Sequence, residues 1–281
     1  MVIMDGKSLQ LEIINELKLE VERLNAKPRL AIIQVDHDKA SDKYIEQKKI
    51  VGSKIGIEVF HINYEGNVTE DEINNKIDQL NDDFSVNGIM VQLPLPNHLD
   101  SEKIIDRINP LKDVDGLTTL NTGLLFDNKR CLVPCTALGV MDILHKYNIN
   151  LTGKHVVLVG RSTLIGKPLI ACMLKENATV TVTHSKTVDL GSITKTADIL
   201  VVGVGIPKFI TGDMVKEGAI VIDVGTNFVN DKLVGDVDFD SVSPKTSYIT
   251  PVPNGVGRMT VSSLMKNVLL AYMLQKELNN F

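Results

Sequence analysis

Tryptophan is absent from this 281-residue chain, and aromatic residues make up only 4% of it. Proteins that hold single-stranded nucleic acid stack bases on aromatic side chains set among cations, and that material is missing. Basic runs are missing too: 30 Lys and Arg against 35 Asp and Glu give a formal charge of −5. Neither nucleic acid nor an anionic membrane is expected as the main partner. Cysteine is scarce, with Cys131, Cys135 and Cys172 scattered and no CxxC pair. An odd, scattered set fits a reducing compartment better than a disulfide framework and lacks zinc-site spacing. His37, His61, His98, His145 and His155 show no ligand spacing either, so no metal is expected. Long apolar runs are lacking: the best stretch, Val261 to Leu278, is interrupted by Lys266 and Lys276. The first residues show no charged region followed by an apolar run, so no signal peptide is expected and the cytoplasm is the default.

What remains is an ordinary core-forming composition, 43% hydrophobic and 23% charged, on a chain long enough for two domains. Leu9, Ile13, Leu17 and Val21 carry helical spacing over Asp5 to Leu24. A buried strand, Arg29–Val35, follows, then a helix from Ala40 to Ile55 with Ser41 as its cap. Strand Ile57–Ile62, helix Thr69–Leu80 and strand Gly88–Leu93 continue the alternation, which argues for a parallel sheet with helical crossovers. Leu111 to Pro134 is irregular, and the domain junction is placed there, giving domains 1–120 and 121–281. Helix Thr136–Tyr147 then opens a second series: strand His155–Val159, helix Lys167–Glu176, and strands Thr179–Thr183, Ile199–Val204 and Ala219–Val224. The last helix, 261–278, is expected to pack back on the first domain.

The strongest local signal is the turn from Gly160-Arg-Ser162 to Gly166-Lys-Pro168. A buried strand ends at Gly160 and a helix begins at Gly166, with Pro168 suited to its first turn. Glycines admit a pyrophosphate close to the backbone, and a helix N-terminus offers unpaired N–H groups. The spacing is not strict GxGxxG, and an ordinary strand–helix turn is the competing reading. The next strand decides the cofactor. NAD sites place an acid near its tip for the ribose hydroxyl, whereas here the tip reads His184-Ser185-Lys186. Arg161, Ser185 and Lys186 suit a 2′-phosphate, so NADP is favoured over NAD. Val204-Gly205 and Gly225-Thr226 put further small residues at strand ends, where ligands of open α/β sheets lie.

In the first half, Tyr44 and Lys48 stand one turn apart on a helix face. A Lys beside an apolar wall titrates low enough to move protons, and a Tyr can stack on a flat ligand. A half-buried Tyr beside a solvated Lys explains the pair equally well. Gln92 is harder to dismiss, because an amide at the end of an apolar strand is costly to bury without partners. Asp113 reads as a turn former. Asp115 can do the same or bind an N–H-rich heterocycle.

Tyr44-x-x-x-Lys48, Val91-Gln-Leu-Pro-Leu-Pro96, Lys112-Asp-Val-Asp-Gly116, Pro134-Cys-Thr136, the Gly160 to Pro168 turn and Thr250-Pro-Val-Pro253 occur in this order. Together they closely resemble the bifunctional methylenetetrahydrofolate dehydrogenase/methenyltetrahydrofolate cyclohydrolase family, over nearly the whole chain. The resemblance implies two α/β domains flanking a cleft, the second a Rossmann-like doubly wound parallel sheet, and a homodimer formed through it. It implies oxidation of 5,10-methylenetetrahydrofolate with NADP, then hydrolysis of the methenyl product to 10-formyltetrahydrofolate. By the same resemblance Lys48 handles protons, Gln92 positions it, Tyr44 stacks on the folate and Asp115 grips the pterin. Pro253 and Gly255 line the substrate, while Gly160, Arg161, Ser162, Ser185 and Thr226 hold the cofactor.

Three departures stand out. Asn254 and Arg258 replace a Gly and a Pro of the family's usual loop, Asp36-His-Asp-Lys39 replaces a Gly-x-x-Pro lead, and Ala137 stands where Pro is usual. Two other readings compete: an NADP dehydrogenase of another small substrate, such as a shikimate-dehydrogenase-like protein, and a non-catalytic folate- or dinucleotide-binding paralogue. The first has no use for the Gln92 motif. Against the second, Tyr44, Lys48, Gln92 and Asp115 are all present.

Overall fold

The computed structural model describes residues 1–37, 39–230 and 232–279. In chain order the elements are β1 (Val2–Ile3), α1 (Gly6–Val21), β2 (Arg29–Val35), α2 (Lys39–Ile55), β3 (Glu58–Tyr64), α3 (Glu70–Asp82), β4 (Gly88–Val91), α4 (Ser101–Asp106) and α5 (Thr119–Phe126). Then come α6 (Cys135–Lys146), β5 (His155–Val159), α7 (Gly166–Lys175), β6 (Thr179–Thr183), α8 (Leu190–Thr194), β7 (Ile199–Val202), β8 (Ile220–Asp223), β9 (Asn227–Val229), β10 (Lys232–Val234), α9 (Phe239–Val242), β11 (Tyr248–Ile249) and α10 (Val256–Asn279).

These elements form two compact units. One comprises Glu12–Cys135 with the residues from Val261 onward, the other Met1–Leu11 with Thr136–Thr260. The sequence reading put the junction at 120/121, whereas the contacts divide after Cys135. They also send the first eleven residues to the later unit. The reason is β1, which pairs in parallel with β11, while the Asp5 N–H donates to the Tyr147 hydroxyl at 2.8 Å. The residues from Val261 group with the earlier unit, where the Gln275 amide donates to the Asn87 and Leu111 carbonyls.

The earlier unit holds a parallel sheet in the order β3-β2-β4. Six of the seven residues of β2 are buried, the near-continuous apolar content of a central parallel strand covered on both faces. Ala31, Ile33 and Val35 pack with Ile73, Ile77 and Leu80 of α3 and Ile104 of α4 in one core. Thr69 and Glu72 make a reciprocal capping box that starts α3. The expected cap on α2 does not occur: the helix starts at Lys39, so Ser41 lies inside it and is buried. The stretch read as irregular contains α5, capped by Thr118.

The later unit carries a six-stranded parallel sheet, β1-β11-β8-β7-β5-β6. Central β7 is buried throughout. Val157, Val159, Leu200, Val202 and Val221 share a core with Ile210, Val215 and Val242. The order runs outward from β5 to both sides, so the chain leaves β5 and β7 in opposite directions along the sheet, the switch-point geometry that receives ligands in open α/β sheets. An antiparallel hairpin, β9–β10, leaves the sheet after β8.

Candidate active site

Residues from four segments of the earlier unit meet around one ammonium group. Helix α2 presents Lys48, which is 8% exposed. Its Nζ donates to Gln92 Oε1 at 2.8 Å and lies 3.3 Å from Met90 Sδ. Gln92 directly follows β4, so the end of a buried strand sets its place. Its own Nε2 donates to the Leu93 carbonyl at 2.8 Å. That second bond fixes which end of the amide faces Lys48: the oxygen. The next peptide, Leu93–Pro94, is cis.

Burial lowers the Lys48 pKa below the ordinary lysine value, and the nearby charges of Asp115 and Cys135 oppose the shift. Asp115 is half-buried. Its carboxyl is raised by burial, an effect Lys48 counters and Asp113 reinforces. The Cys135 thiol is buried beside Asp115 and pushed well above the ordinary thiol range, so it stays protonated. Lys48, Asp115 and Cys135 therefore form one electrostatic cluster, in which burial moves the amine's titration down towards the range where an acid–base group works. Tyr44, one turn earlier on α2, is 44% exposed, its ring free of the core.

Asp113 plays a different part. It is 1% exposed, and Oδ2 accepts from Thr118 N at 2.8 Å and Asn121 Nδ2 at 2.9 Å. This carboxylate builds the loop that presents Asp115, in keeping with a turn-forming role. Two contributors escaped the sequence reading. Asn267, buried in α10, donates to the Val114 and Val133 carbonyls, both at 2.8 Å, and so ties together the segments carrying Asp115 and Cys135. A polar residue in the apolar run 261–278 was its signal, because a buried amide without partners is costly. Cys135 stood in the Pro134-Cys-Thr136 motif, but its place beside Asp115 depends on a long-range meeting of segments.

The remaining candidates lie in the later unit. Gly160 has φ 120°, and a Cβ there would meet the Gly203 carbonyl oxygen at 2.4 Å. At Gly166 a Cβ would meet Arg161 Cα at 2.6 Å. The turn between them therefore requires glycine. Ser162 shapes it, its Oγ accepting from Ile165 N at 3.2 Å. No side chain among the described residues caps the start of α7; the Lys167 N–H donates to the Ser162 carbonyl at 2.9 Å and Pro168 has no N–H, so an anion there would meet the Gly166 end of the helix. Arg161 and Ser185 are exposed just past the ends of neighbouring β5 and β6, with Lys186 beside them. Thr226 is exposed just past β8. These residues fit a dinucleotide phosphate site. Pro253 is exposed after a cis bond and Gly255 is buried, with Asn254 at φ 77° between them. Arg258 Nε donates to Asn254 Oδ1 at 3.2 Å, so the two departures from the usual loop are partners.

Among the described residues no cluster of His, Cys, Asp or Glu could hold a metal ion. No described helix is long and apolar enough to cross a membrane.

At the end of β8, burial pushes Asp223 up to about 6, three backbone N–H groups limiting the rise. The unfolded chain therefore releases this proton first, and Asp223 lowers stability as pH climbs from about 4 through 6. Asp223→Asn removes that dependence. Denaturation at pH 4 and pH 6.5 should show the variant improving relative to wild type by roughly 2 kcal/mol across the interval; an unchanged difference would refute the shift.

A two-domain α/β enzyme is thus defined, with a dinucleotide turn in one unit and a buried, hydrogen-bonded lysine amine in the other. The sequence profile of the tetrahydrofolate dehydrogenase/cyclohydrolase catalytic domain matches residues 4–115, and that of the NAD(P)-binding domain of the same family matches residues 134–276. The chain belongs to this family. The bifunctional protein FolD of Acholeplasma laidlawii is 50% identical over 278 residues, covering 98% of this chain and 100% of that protein. FolD of Thermodesulfovibrio yellowstonii is 49% identical, covering 98% and 97%. Among solved structures, the Campylobacter jejuni enzyme superposes with a TM-score of 0.96 at 42% identity over 98% of this chain and 99% of that one. The Trypanosoma brucei enzyme, solved with NADP and an inhibitor, gives 0.92 at 37% identity over 98% of each chain. The chain is a tetrahydrofolate dehydrogenase and cyclohydrolase, and its later unit is the Rossmann-like NAD(P)-binding domain.

Proposed function

We propose that this chain oxidises 5,10-methylenetetrahydrofolate with NADP and hydrolyses the methenyl product to 10-formyltetrahydrofolate, with Lys48 as the proton-handling group. The observation that carries the assignment is the buried Lys48 amine held 2.8 Å from Gln92 Oε1. When bound, NADP accepts the hydride leaving the one-carbon bridge. The Gly160 turn and the Gly166 end of α7 would hold its pyrophosphate, and Arg161 with Ser185 would pair with the 2′-phosphate. Oxidation leaves a methenyl cation shared by two folate nitrogens. Water attacks that carbon while the neutral Lys48 amine takes the water's proton. The amine then returns it to the departing nitrogen as the ring opens, and the hydroxyl proton leaves to solvent as the formyl C=O forms. Gln92 holds the amine in place throughout, Asp115 grips the pterin edge, and Tyr44 stacks on the folate.

The pH profile of methenyl hydrolysis tests the role of Lys48. The rate is expected to rise through an ionisation below 10.5, the ordinary lysine value. A rate insensitive to pH over the interval below that value would contradict it.

The assembly proposed is a homodimer formed through the dinucleotide unit. Its support is the β9–β10 hairpin, where Phe228 is 70% and Val229 40% exposed, an apolar edge that association would cover. Phe228→Asp is expected to shift the sedimenting species from dimer to monomer; an unchanged mass would exclude the hairpin from the interface. The compartment proposed is the cytoplasm, in keeping with three buried cysteines that form no disulfide.

A further inference from the structure

Two buried carboxylates at the carboxyl ends of β7 and β8 take no part in the chemistry above. Asp236 is fully buried and Asp223 4% exposed. Asp236 Oδ2 accepts from Val204 N at 2.6 Å and Gly205 N at 2.9 Å, and Oδ1 accepts from Asn227 Nδ2 at 2.8 Å. Asp223 Oδ1 accepts from Gly225 N at 2.9 Å and Asp236 N at 3.0 Å, and Oδ2 accepts from Val237 N at 2.9 Å. Five of these six donors are backbone amides, so the carboxylates fasten main chain to main chain.

The glycines beside them leave no slack. A Cβ at Gly225 would lie 2.3 Å from Asp236 Cγ, and one at Gly235 would lie 1.9 Å from Asp223 Oδ2. The turn fastened after β7 also reaches the phosphate turn, because the Gly203 carbonyl closes against Gly160. Three loops, those following β5, β7 and β8, are thereby locked in one register at the edge where α/β sheets take their ligands.

We propose that Asp236 is a positioning residue of the cofactor site, its carboxylate fixing the Val204–Gly205 and Thr226–Asn227 turns as one rim for the dinucleotide, with Asp223 fixing Asp236. The proposal rests on the assignment of the cofactor to this unit. The rim is pre-formed, so binding does not have to order two loops.

Asp236→Ala removes the acceptor shared by the Val204 and Gly205 N–H groups and so frees both turns. Calorimetric titration with NADP should show affinity lowered roughly tenfold or more. Hydrolysis of supplied methenyltetrahydrofolate without NADP should keep its KM. Amide exchange should quicken at Val204, Gly205 and Asn227 while the strands stay protected. Asp236→Asn retains an oxygen for the Val204 and Gly205 amides and should recover most of the affinity. Asp236→Ala binding NADP as wild type does would overturn the proposal. So would equal loss of NADP binding and folate hydrolysis in both variants, which marks a merely structural residue. Arg161→Ala separates the two levels. If it leaves NADP binding unchanged, the cofactor assignment falls with the proposal; if it weakens binding while Asp236→Ala does not, only the positioning role falls.

Discussion

Replacing Lys48 with methionine is expected to slow methenyltetrahydrofolate hydrolysis by on the order of 10²–10⁴-fold, the usual contribution of a positioned acid–base group. Methionine keeps the length and apolar character of the side chain, so the pocket formed by Met90 and Gln92 retains its shape. It removes the amine that donates to Gln92 Oε1. Asp113→Asn is the informative comparison. Asp113 uses a single oxygen for both Thr118 N and Asn121 Nδ2, and an asparagine can place its oxygen there. Hydrolysis in that variant should fall far less, and equal losses would reject the division of roles. Folding separates chemistry from damage. Because burial lowers the Lys48 pKa, the unfolded chain takes up this proton first as pH falls, and the wild type is penalised increasingly below about pH 10.5. Relative to wild type, Lys48→Met should therefore be more stable at pH 7 than at pH 10, read from denaturation midpoints. An inactive variant showing that trend has lost a proton carrier, not its fold.

The second large effect concerns the cofactor. Arg161→Ala is expected to weaken NADP binding by about 10–100-fold, the value of a charge-assisted hydrogen bond to phosphate, while NAD binding changes little. Arg161 is exposed beyond β5, so truncating it opens no cavity and leaves the Gly160 turn intact. Titration with both dinucleotides reads the outcome directly. Equal weakening of NADP and NAD would place Arg161 on the shared pyrophosphate and remove the stated basis for selecting NADP.

How far the fold could be read depended on how each element is stabilised. Strands β2 and β5 begin and end where the apolar runs do, because strands buried on both faces need near-continuous apolar residues, whereas edge strand β6 is marked by its alternation of threonine and valine. Helix α5 escaped notice because its eight residues include Gly123 and show little amphipathic pattern. It exists through the Thr118 cap and the bond from Asn121 to Asp113. Strands β1 and β11, of two residues each, are too short for any periodicity. Yet they decide where the first eleven residues belong. Ser41 resembled a cap, but the helix begins two residues earlier and buries it.

The site divides along the same line. Tyr44 and Lys48 are related by one helical turn, and the Gly160 to Gly166 turn by one strand–helix junction, so local spacing exposes both. Asp115 and Cys135 meet Lys48 only through tertiary packing, and Asn267 reaches them from a helix more than 130 residues along the chain from Val133. No local pattern encodes that meeting. Asp236 is the extreme case: its neighbours come from the turns after two different strands, and its sequence context, Gly235-Asp-Val237, reads as an ordinary loop.

The most direct measurement supplies 5,10-methylenetetrahydrofolate and NADP to the purified protein and follows methenyltetrahydrofolate and reduced-cofactor absorbance separately. The account predicts reduced NADP accumulating with substrate consumed and a methenyl signal that decays to 10-formyltetrahydrofolate in wild type but persists in Lys48→Met. Formation of neither product with NADP or with NAD would contradict it.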